Sequence, residues 1–249
     1  MLILLTNDDG IASPGLKAIK EALSERHDVV TLAPVQDMSG TAHAISRGED
    51  IKLTRVAENE VAISGTPTDC VMAALRHVLR RPPDLLVSGI NMGSNLAEDL
   101  SYSATAGAAW EGALSGIPSI AVSLCGEGDT WHFESAIKVT QILIRQWLEN
   151  PLPPGTFLNV NVPNVPEYEL KNPKPTRQGM RFRWPPPPVT KAGNPAFWDP
   201  TIPIPREDEA DLPTDEETLK QGHPSVTALQ CMFRHPHATE RLKAWSLFR

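Results

Sequence analysis

A buried strand that ends in two adjacent carboxylates opens the chain and limits what it can fold into. Residues 2–5 are an apolar run without a polar break, which is typical of a strand buried on both faces of a parallel sheet. Asp8 and Asp9 follow, and Ser13 and Pro14 then suit the cap and first turn of a helix. Open α/β sheets bind ligands at the carboxyl ends of their strands, and adjacent carboxylates need a cation or a shared proton. Asn-Asp-Asp-Gly is equally typical of a turn without any function. Features elsewhere in the chain are therefore needed to distinguish a ligand site from a simple turn.

Further apolar strands alternate with amphipathic helices along the first two thirds of the chain. This alternation predicts a doubly wound, mostly parallel α/β sheet. Strands are predicted at residues 28–34, 51–56, 60–64, 84–91, 119–124 and 157–162. Helices are predicted at about residues 14–25, 66–79, 104–114 and 131–147.

Composition narrows the class of protein. With 249 residues, 41% of them hydrophobic, the chain can form one large domain with a substantial core. Its net charge of -7 argues against a nucleic-acid binder or a protein of anionic membrane surfaces. Cys70, Cys125 and Cys231 lack metal-ligand spacing and fit a reducing compartment. Because no signal peptide or membrane-spanning stretch is recognisable, we expect a cytoplasmic protein.

The character of the chain changes after about residue 163, where prolines become frequent. We predict one domain over 1–249, with a core at about 1–165, a protruding proline-rich arm at about 166–224 and a C-terminal extension at about 225–249. The arm's aromatic residues are Phe182, Trp184, Phe197 and Trp198. Their presence favours an arm that is ordered on a partner subunit, whereas the alternative is a disordered linker.

Polar side chains follow three of the predicted strands at the same edge of the sheet. Asp8 and Asp9 follow the first strand, Ser39 and Gly40 lie in the loop after the second, and Asn91 ends the third long strand. The aspartate, serine and asparagine side chains all offer oxygen as the ligand atom. Oxygen ligands suit Mg²⁺, Mn²⁺ or Ca²⁺ better than zinc. The sequence therefore predicts a site for a hard divalent cation with positions left for water and substrate.

An anion site is predicted beside the cation. Ser103 and Thr105 stand at the N-terminus of the alanine-rich helix over residues 104–114, where free N–H groups and the positive end of the helix dipole favour a phosphate. A cation next to a phosphate site indicates metal-assisted phosphoryl transfer to water.

Several uncommon strings in the first half of the chain occur together and in one order. They are LLTNDDGIASPGL at 4–16, Ser39-Gly40, SGTPTDCV at 64–71, PDLLVSGINMGSNL at 83–96, YSATAGAAWEG at 102–112 and GIPSIAVSL at 116–124. The sequence thereby resembles the SurE (survival protein E) family of metal-dependent 5'- and 3'-nucleotidases. LNVNVP at 158–163 and SVTAL at 225–229 extend the resemblance.

The resemblance implies a Rossmann-like core and one Mg²⁺ or Mn²⁺ per subunit. The metal ligands that it implies are Asp8, Asp9, Ser39 and Asn91, with Asp8 and Asp9 as the catalytic residues. Around the substrate phosphate we expect Asn91, Ser103, Thr105, Gly40, His43 and Asn95. Either aspartate could hold the ion or orient the attacking water, and His43 could equally satisfy local hydrogen bonds.

The resemblance also implies an activity and an assembly. We expect hydrolysis of nucleoside monophosphates to nucleoside and phosphate, at the 5' position and also at 3' esters and short polyphosphates. We expect a homodimer or homotetramer formed through the arm and the C-terminal tail. The alternatives are a non-catalytic nucleotide sensor and a phosphatase with a nucleophilic aspartate. The chain departs from the family pattern at Ala104, where glycine is usual, and at Gly222-His223-Pro224 before the Ser-Val-Thr string.

Overall fold

A single mixed sheet of nine strands forms the centre of the protein, as seen in a computed structural model that describes residues 1–48, 50–180 and 212–232. The strands are β1 (Leu2–Thr6), β2 (Asp28–Pro34), β3 (Leu53–Ala57), β4 (Glu60–Ile63), β5 (Leu85–Met92), β6 (Ser119–Cys125), β7 (Thr156–Pro163), β8 (Lys174–Thr176) and β9 (Ser225–Gln230). Their order is β3-β4-β2-β1-β5-β6-β7-β9-β8. Only the β3–β4 and β7–β9 pairs are antiparallel, so the predicted mostly parallel, Rossmann-like sheet is confirmed.

Helices cover both faces of this sheet. They are α1 (Pro14–Ser24), α2 (Pro67–Ala73), α3 (Ala104–Leu114), α4 (Phe133–Glu149) and α5 (Asp215–Lys220). Helices α1 and α4 lie on one face, and α2 and α3 lie on the other. In the described ranges, none of these helices combines the length and apolar character that crossing a membrane requires.

Strand β1 shows why its sequence lacks a polar break. Successive side chains of a strand point to opposite faces, and here both faces are covered. Ile3 and Leu5 join the core beneath α1 and α4, whereas Leu4 joins the core beneath α2 and α3. All three are fully buried.

The observed bounds of two helices, α2 and α4, differ from those predicted from the sequence. Helix α2 stops at Ala73 and continues as a five-residue π-helix, Ala74–Val78, so the predicted helix is present but is not α-helical throughout. Helix α4 begins at Phe133 rather than at about Trp131. Helix α3 matches its predicted bounds. Its small residues allow close packing, because a Cβ at Gly107 would lie 2.5 Å from the carbonyl oxygen of Ala42.

The two described parts of the predicted arm, near its start and its end, contact the edge of the sheet. Strand β8 pairs with β9, which in turn lies antiparallel to β7, and α5 packs near β9. The four aromatic residues of the arm lie outside the described residues. So does the amphipathic helix that the sequence predicts through Leu242, Trp245 and Phe248. The division into core, arm and C-terminal extension stays a prediction.

Candidate active site

Three neighbouring parallel strands bring the predicted site residues to one edge of the sheet. Strand β1 lies between β2 and β5, with Leu5 opposite Thr31 and Val87. The carboxyl ends of all three strands therefore open on the same side. The turn after β1, the loop after β2 and the end of β5 meet at this edge.

The turn after β1 is held by its own polar groups. Asn7 Nδ2 donates to the Gly10 carbonyl oxygen at 3.1 Å and to Ser13 Oγ at 2.8 Å. Gly10 has a φ of +96°, a region that favours glycine. A Cβ at Gly15 would overlap the carbonyl oxygen of Ile90. Glycine at this position lets α1 approach β5 one residue before Asn91, so the two parts of the site lie side by side.

Asp8 is buried and receives a hydrogen bond from α3. Only 3% of Asp8 is exposed, and Thr105 Oγ1, itself fully buried, donates to Asp8 Oδ1 at 2.6 Å. Burial raises the pKa of Asp8, although the Thr105 hydrogen bond acts in the opposite direction. The Asp8 carbonyl oxygen accepts from the Met38 N–H at 2.8 Å, which ties the loop after β2 to this turn.

Asp9 carries the less satisfied carboxylate of the pair. Its Oδ2 is buried and has no hydrogen-bond partner among the described residues. Burial, followed by the charges of Asp8 and Asp37, raises the pKa of Asp9 to about 6 despite a hydrogen bond from the Met92 main chain. That bond also places Asp9 beside the end of β5. A cation bound beside Asp8 and Asp9 would stabilise the ionised form of both carboxylates.

The loop after β2 contributes Ser39 and a third carboxylate. The Ser39 N–H and Oγ donate to Asp37 Oδ1 at 2.8 Å and 2.6 Å, and these bonds lower the pKa of Asp37. Gly40 is exposed with a φ of +76°. Asp37 was not among the predicted site residues. Its position two residues before Ser39, in a loop that leaves a strand at the ligand-binding edge, was the signal available in the sequence.

Asn91 lies at the end of β5 with its amide nitrogen already engaged. Nδ2 donates to the Gly93 carbonyl oxygen at 3.0 Å, which leaves Oδ1 as the group that can accept or coordinate. Gly93 has a φ of +148° and sits next to this amide. Asn91 thus presents an oxygen where the sequence predicted one.

The donor set fits a hard divalent cation, with the protein supplying only part of its shell. Within residues 1–48, 50–180 and 212–232, no three His, Cys, Asp or Glu side chains form a metal site by themselves. Asp8 and Asp9 can supply two carboxylates, and neutral oxygens of Ser39 and Asn91 would have to complete the protein's share. The buried, unpartnered Asp9 Oδ2 is the observation that favours a cation.

Helix α3 directs its N-terminus at the carboxylates. Ser103 caps the helix, accepting from the Ala106 N–H at 3.0 Å, and Thr105 bonds to Asp8. The Ser103 hydroxyl is therefore engaged as an acceptor but can still donate. The N–H groups of Thr105, Ala106 and Gly107 are engaged by Asp8 and Ser103. The Ala104 N–H and the Ser103 hydroxyl are therefore the groups that suit a phosphoryl group beside Asp8.

Two further predicted substrate residues contact the protein itself. His43 Nε2 lies 3.0 Å from Glu111 Oε2, and its ring stacks on Trp110 with centroids 5.3 Å apart. Asn95 is 8% exposed and donates through Nδ2 to Ser123 Oγ at 2.8 Å. A role for either residue in binding substrate stays a prediction.

Comparison with known proteins points to one family. The model of the family described as survival protein SurE matches residues 3–184. The chain is 86% identical over 249 residues to the 5'-nucleotidase SurE of Magnetococcus marinus, with 100% of each chain covered. It is 38% identical over 253 residues to the 5'-nucleotidase SurE of Geotalea uraniireducens, covering 99% of this chain and 100% of the relative. The crystal structure of the SurE protein from Aquifex aeolicus is similar with a TM-score of 0.82 at 36% identity, covering 98% of this chain and 99% of that chain.

Proposed function

Because this chain belongs to the survival protein SurE family, we propose that it is a metal-dependent 5'-nucleotidase, which hydrolyses nucleoside monophosphates to nucleoside and phosphate. The full-length identity of 86% to a protein named 5'-nucleotidase SurE supports the reaction class. The observation in this chain that carries the proposal is the adjacent pair of buried Asp8 and half-buried Asp9, which lies beside the N-terminus of a helix. Among the described residues, one Asp9 carboxylate oxygen has no hydrogen-bond partner.

The proposed metal ligands are Asp8, Asp9, Ser39 and Asn91, and the proposed ion is one Mg²⁺ or Mn²⁺ per subunit. When bound, such an ion neutralises charge on the phosphoryl oxygens and lowers the pKa of a coordinated water. Thr105 holds Asp8 through the 2.6 Å hydrogen bond, so the carboxylate keeps its orientation. Asn91 presents Oδ1 because Gly93 engages its nitrogen.

The substrate phosphate is proposed to bind at the start of α3. Its oxygens accept hydrogen bonds from the Ala104 N–H and from the Ser103 hydroxyl, and these donors stabilise the charge that gathers there during transfer. Ala104 carries a Cβ where the family usually has glycine. Ala104 is fully buried.

Hydrolysis then needs a water in line with the ester bond and a group to take its proton. We propose the Asp9 carboxylate for this role, and its Oδ2, which has no partner in the described part of the chain, supports the proposal. Water oxygen bonds to phosphorus while the phosphorus–ester bond breaks. The nucleoside oxygen leaves with the electron pair and takes up a proton from solvent.

Several finer features belong to the same proposal. We propose that 3' esters and short polyphosphates are also cleaved, that the protein acts in the cytoplasm, and that it is a homodimer or homotetramer formed through the arm and the C-terminal tail. Gly40, His43 and Asn95 are proposed to shape the substrate pocket around Asn91, Ser103 and Thr105.

The deciding experiment measures phosphate release from a panel of nucleoside 5'- and 3'-monophosphates, with EDTA and with added Mg²⁺ or Mn²⁺. We expect metal-dependent turnover of 5'-monophosphates, with a loss of roughly 100-fold or more in Asp8→Asn and Asp9→Asn. Asp129→Asn, at an exposed carboxylate, is the matched control and should stay active. Nucleotide binding without turnover would favour a sensor, and a trapped acyl-phosphate would favour a nucleophilic aspartate.

A further inference from the structure

Ala97 adopts a backbone conformation that L-residues rarely take, in the segment between two parts of the proposed site. Its φ is +52°, and it is fully buried. A 3-10 helix runs from Ala97 to Tyr102 and ends at Ser103, which caps α3. The conformation of Ala97 therefore sets the direction of the segment that leads from Asn91 to the start of α3.

A buried carboxylate from far along the chain holds Ala97. Asp215 lies 118 residues later and is fully buried. Its Oδ2 accepts from the Ala97 N–H at 2.9 Å, and its Oδ1 accepts from the Gly179 N–H at 2.8 Å and from the Glu216 N–H at 2.9 Å. Gln178 Nε2 donates to the Ala97 carbonyl oxygen at 2.7 Å. Both main-chain groups of Ala97 are thus engaged by residues from outside its own segment.

The partners of Asp215 are all N–H groups. In residues 1–48, 50–180 and 212–232, no lysine, arginine or histidine forms an ion pair with it. The three N–H donors engage both oxygens of the Asp215 side chain. Asp215 is the first residue of helix α5, whose N-terminus Thr214 and Glu217 cap reciprocally.

A second buried contact fixes the same segment two residues earlier. The Asn95 N–H donates to Asn161 Oδ1 at 2.8 Å, and the Asn95 carbonyl oxygen accepts from Asn159 Nδ2 at 2.8 Å and from Asn161 Nδ2 at 3.1 Å. At the other end of the segment, the Tyr102 carbonyl oxygen accepts from the Ala42 N–H at 3.1 Å. Between these two anchors, Asp215 and Gln178 hold Ala97 itself.

We propose that Asp215 is a positioning residue, which fixes Ala97 and thereby aims Ser103 and the N-terminus of α3 at the substrate phosphate. This inference rests on the proposed phosphate site. Asp215 does not touch the reacting atoms; it acts through the segment from Ala97 to Tyr102. Because phosphate contacts at α3 form with the bound substrate as well as in the transition state, loss of Asp215 should raise KM more than it lowers kcat.

The test compares Asp215→Asn with the wild-type full-length chain. Asn keeps the shape but replaces one acceptor oxygen by an NH₂ group, so either the Ala97 or the Gly179 N–H faces a donor. We expect kcat/KM for AMP with Mn²⁺ to fall about 10- to 100-fold, mostly through KM. The Mn²⁺ concentration for half-maximal activation should stay within about threefold, and the Ala97 amide should exchange faster with deuterium.

Control variants separate positioning from simple loss of stability. Glu217→Gln weakens the cap of the same helix without touching Ala97, and it should leave KM unchanged. If Asp215→Asn does not fold, Gln178→Ala removes the other contact to Ala97 and should raise KM in the same way. An unchanged KM in the folded variants, whatever the melting temperature, would overturn the proposal.

Failure of the proposed function is recognisable separately. If the wild-type chain does not hydrolyse AMP, the proposed reaction is wrong. The positioning inference is then decided by calorimetric binding of inorganic phosphate with Mn²⁺. Weaker binding by Asp215→Asn than by the wild type and Glu217→Gln supports the inference, and equal binding by all three refutes it.

Discussion

Replacing Thr105 by Val removes one hydrogen bond at the centre of the proposed site and changes little else. Valine preserves the branching and approximate volume of threonine. Asp8 Oδ1 loses the 2.6 Å bond from Thr105 Oγ1. Because Thr105 is 0% exposed and Asp8 is 3% exposed, water has little access to replace the lost donor.

The size of the effect follows from the charge of the acceptor. A hydrogen bond to a charged group contributes about 1.5–3 kcal/mol, which corresponds to a factor of roughly 10 to 150 in an equilibrium constant. Since Asp8 is a proposed metal ligand, much of this loss should appear in metal affinity. We expect the Mn²⁺ concentration for half-maximal activation of AMP hydrolysis to rise about 10- to 100-fold in Thr105→Val.

Metal titrations of activity and calorimetric Mn²⁺ binding without substrate both measure this effect. Thr105→Ser retains the hydroxyl and should stay within a few-fold of the wild type. Thr140→Val is the matched control, because Thr140 is also buried but donates to Ala136 within α4 at 2.8 Å. A Thr105→Val protein with wild-type Mn²⁺ binding and activation would refute the idea that this bond supports a metal ligand.

Three other expectations concern stability and reactivity. Arg81 holds the pKa of Asp84 at about 2, below its ordinary 3.8. The small stabilisation by this exposed pair should be present above pH 4 and vanish between pH 4 and 2. The difference in unfolding free energy between wild type and Asp84→Asn, measured against pH, would show this. Gly15→Ala should destabilise the fold by about 1–3 kcal/mol in urea unfolding, since its Cβ would overlap the Ile90 carbonyl oxygen; an unchanged midpoint would contradict this close approach. Burial raises the pKa of the Cys70 thiol, so a thiol reagent at pH 8 should leave it unmodified until urea unfolds the chain, as peptide mass spectrometry would show.

The architecture was predictable because its signals are local. Apolar runs of four to eight residues bounded by turns and caps specify β1, β2 and β5, and the Ser13 cap is present as predicted. The π-helical continuation of α2 was not predictable, because an apolar face does not distinguish the two helix types. Pairing of β8 with the far edge of the sheet depends on a contact with β9 some fifty residues later.

The site was predictable in its residue types and less so in its contacts. Asp8, Asp9 and Asn91 follow strands, so parallel pairing alone brings them to one edge. Asp37 was missed because its effect on Asp9 acts through space, from the loop of another strand. The support of Ala97 by Asp215 was equally invisible, since the two residues are 118 positions apart.

The amino-acid sequence by itself determined the strand–helix alternation, the oxygen-rich turn after β1 and the family to which the chain belongs. Each of these features depends on neighbouring residues or on short strings, so it can be recognised without a three-dimensional structure. Only the tertiary structure decided that Thr105 donates to Asp8 and that Asp215 contacts Ala97. It also decided that, among the described residues, one oxygen of Asp9 has no hydrogen-bond partner. Such contacts join remote segments, and their strength depends on burial, which arises only when the sheet and both helical layers assemble.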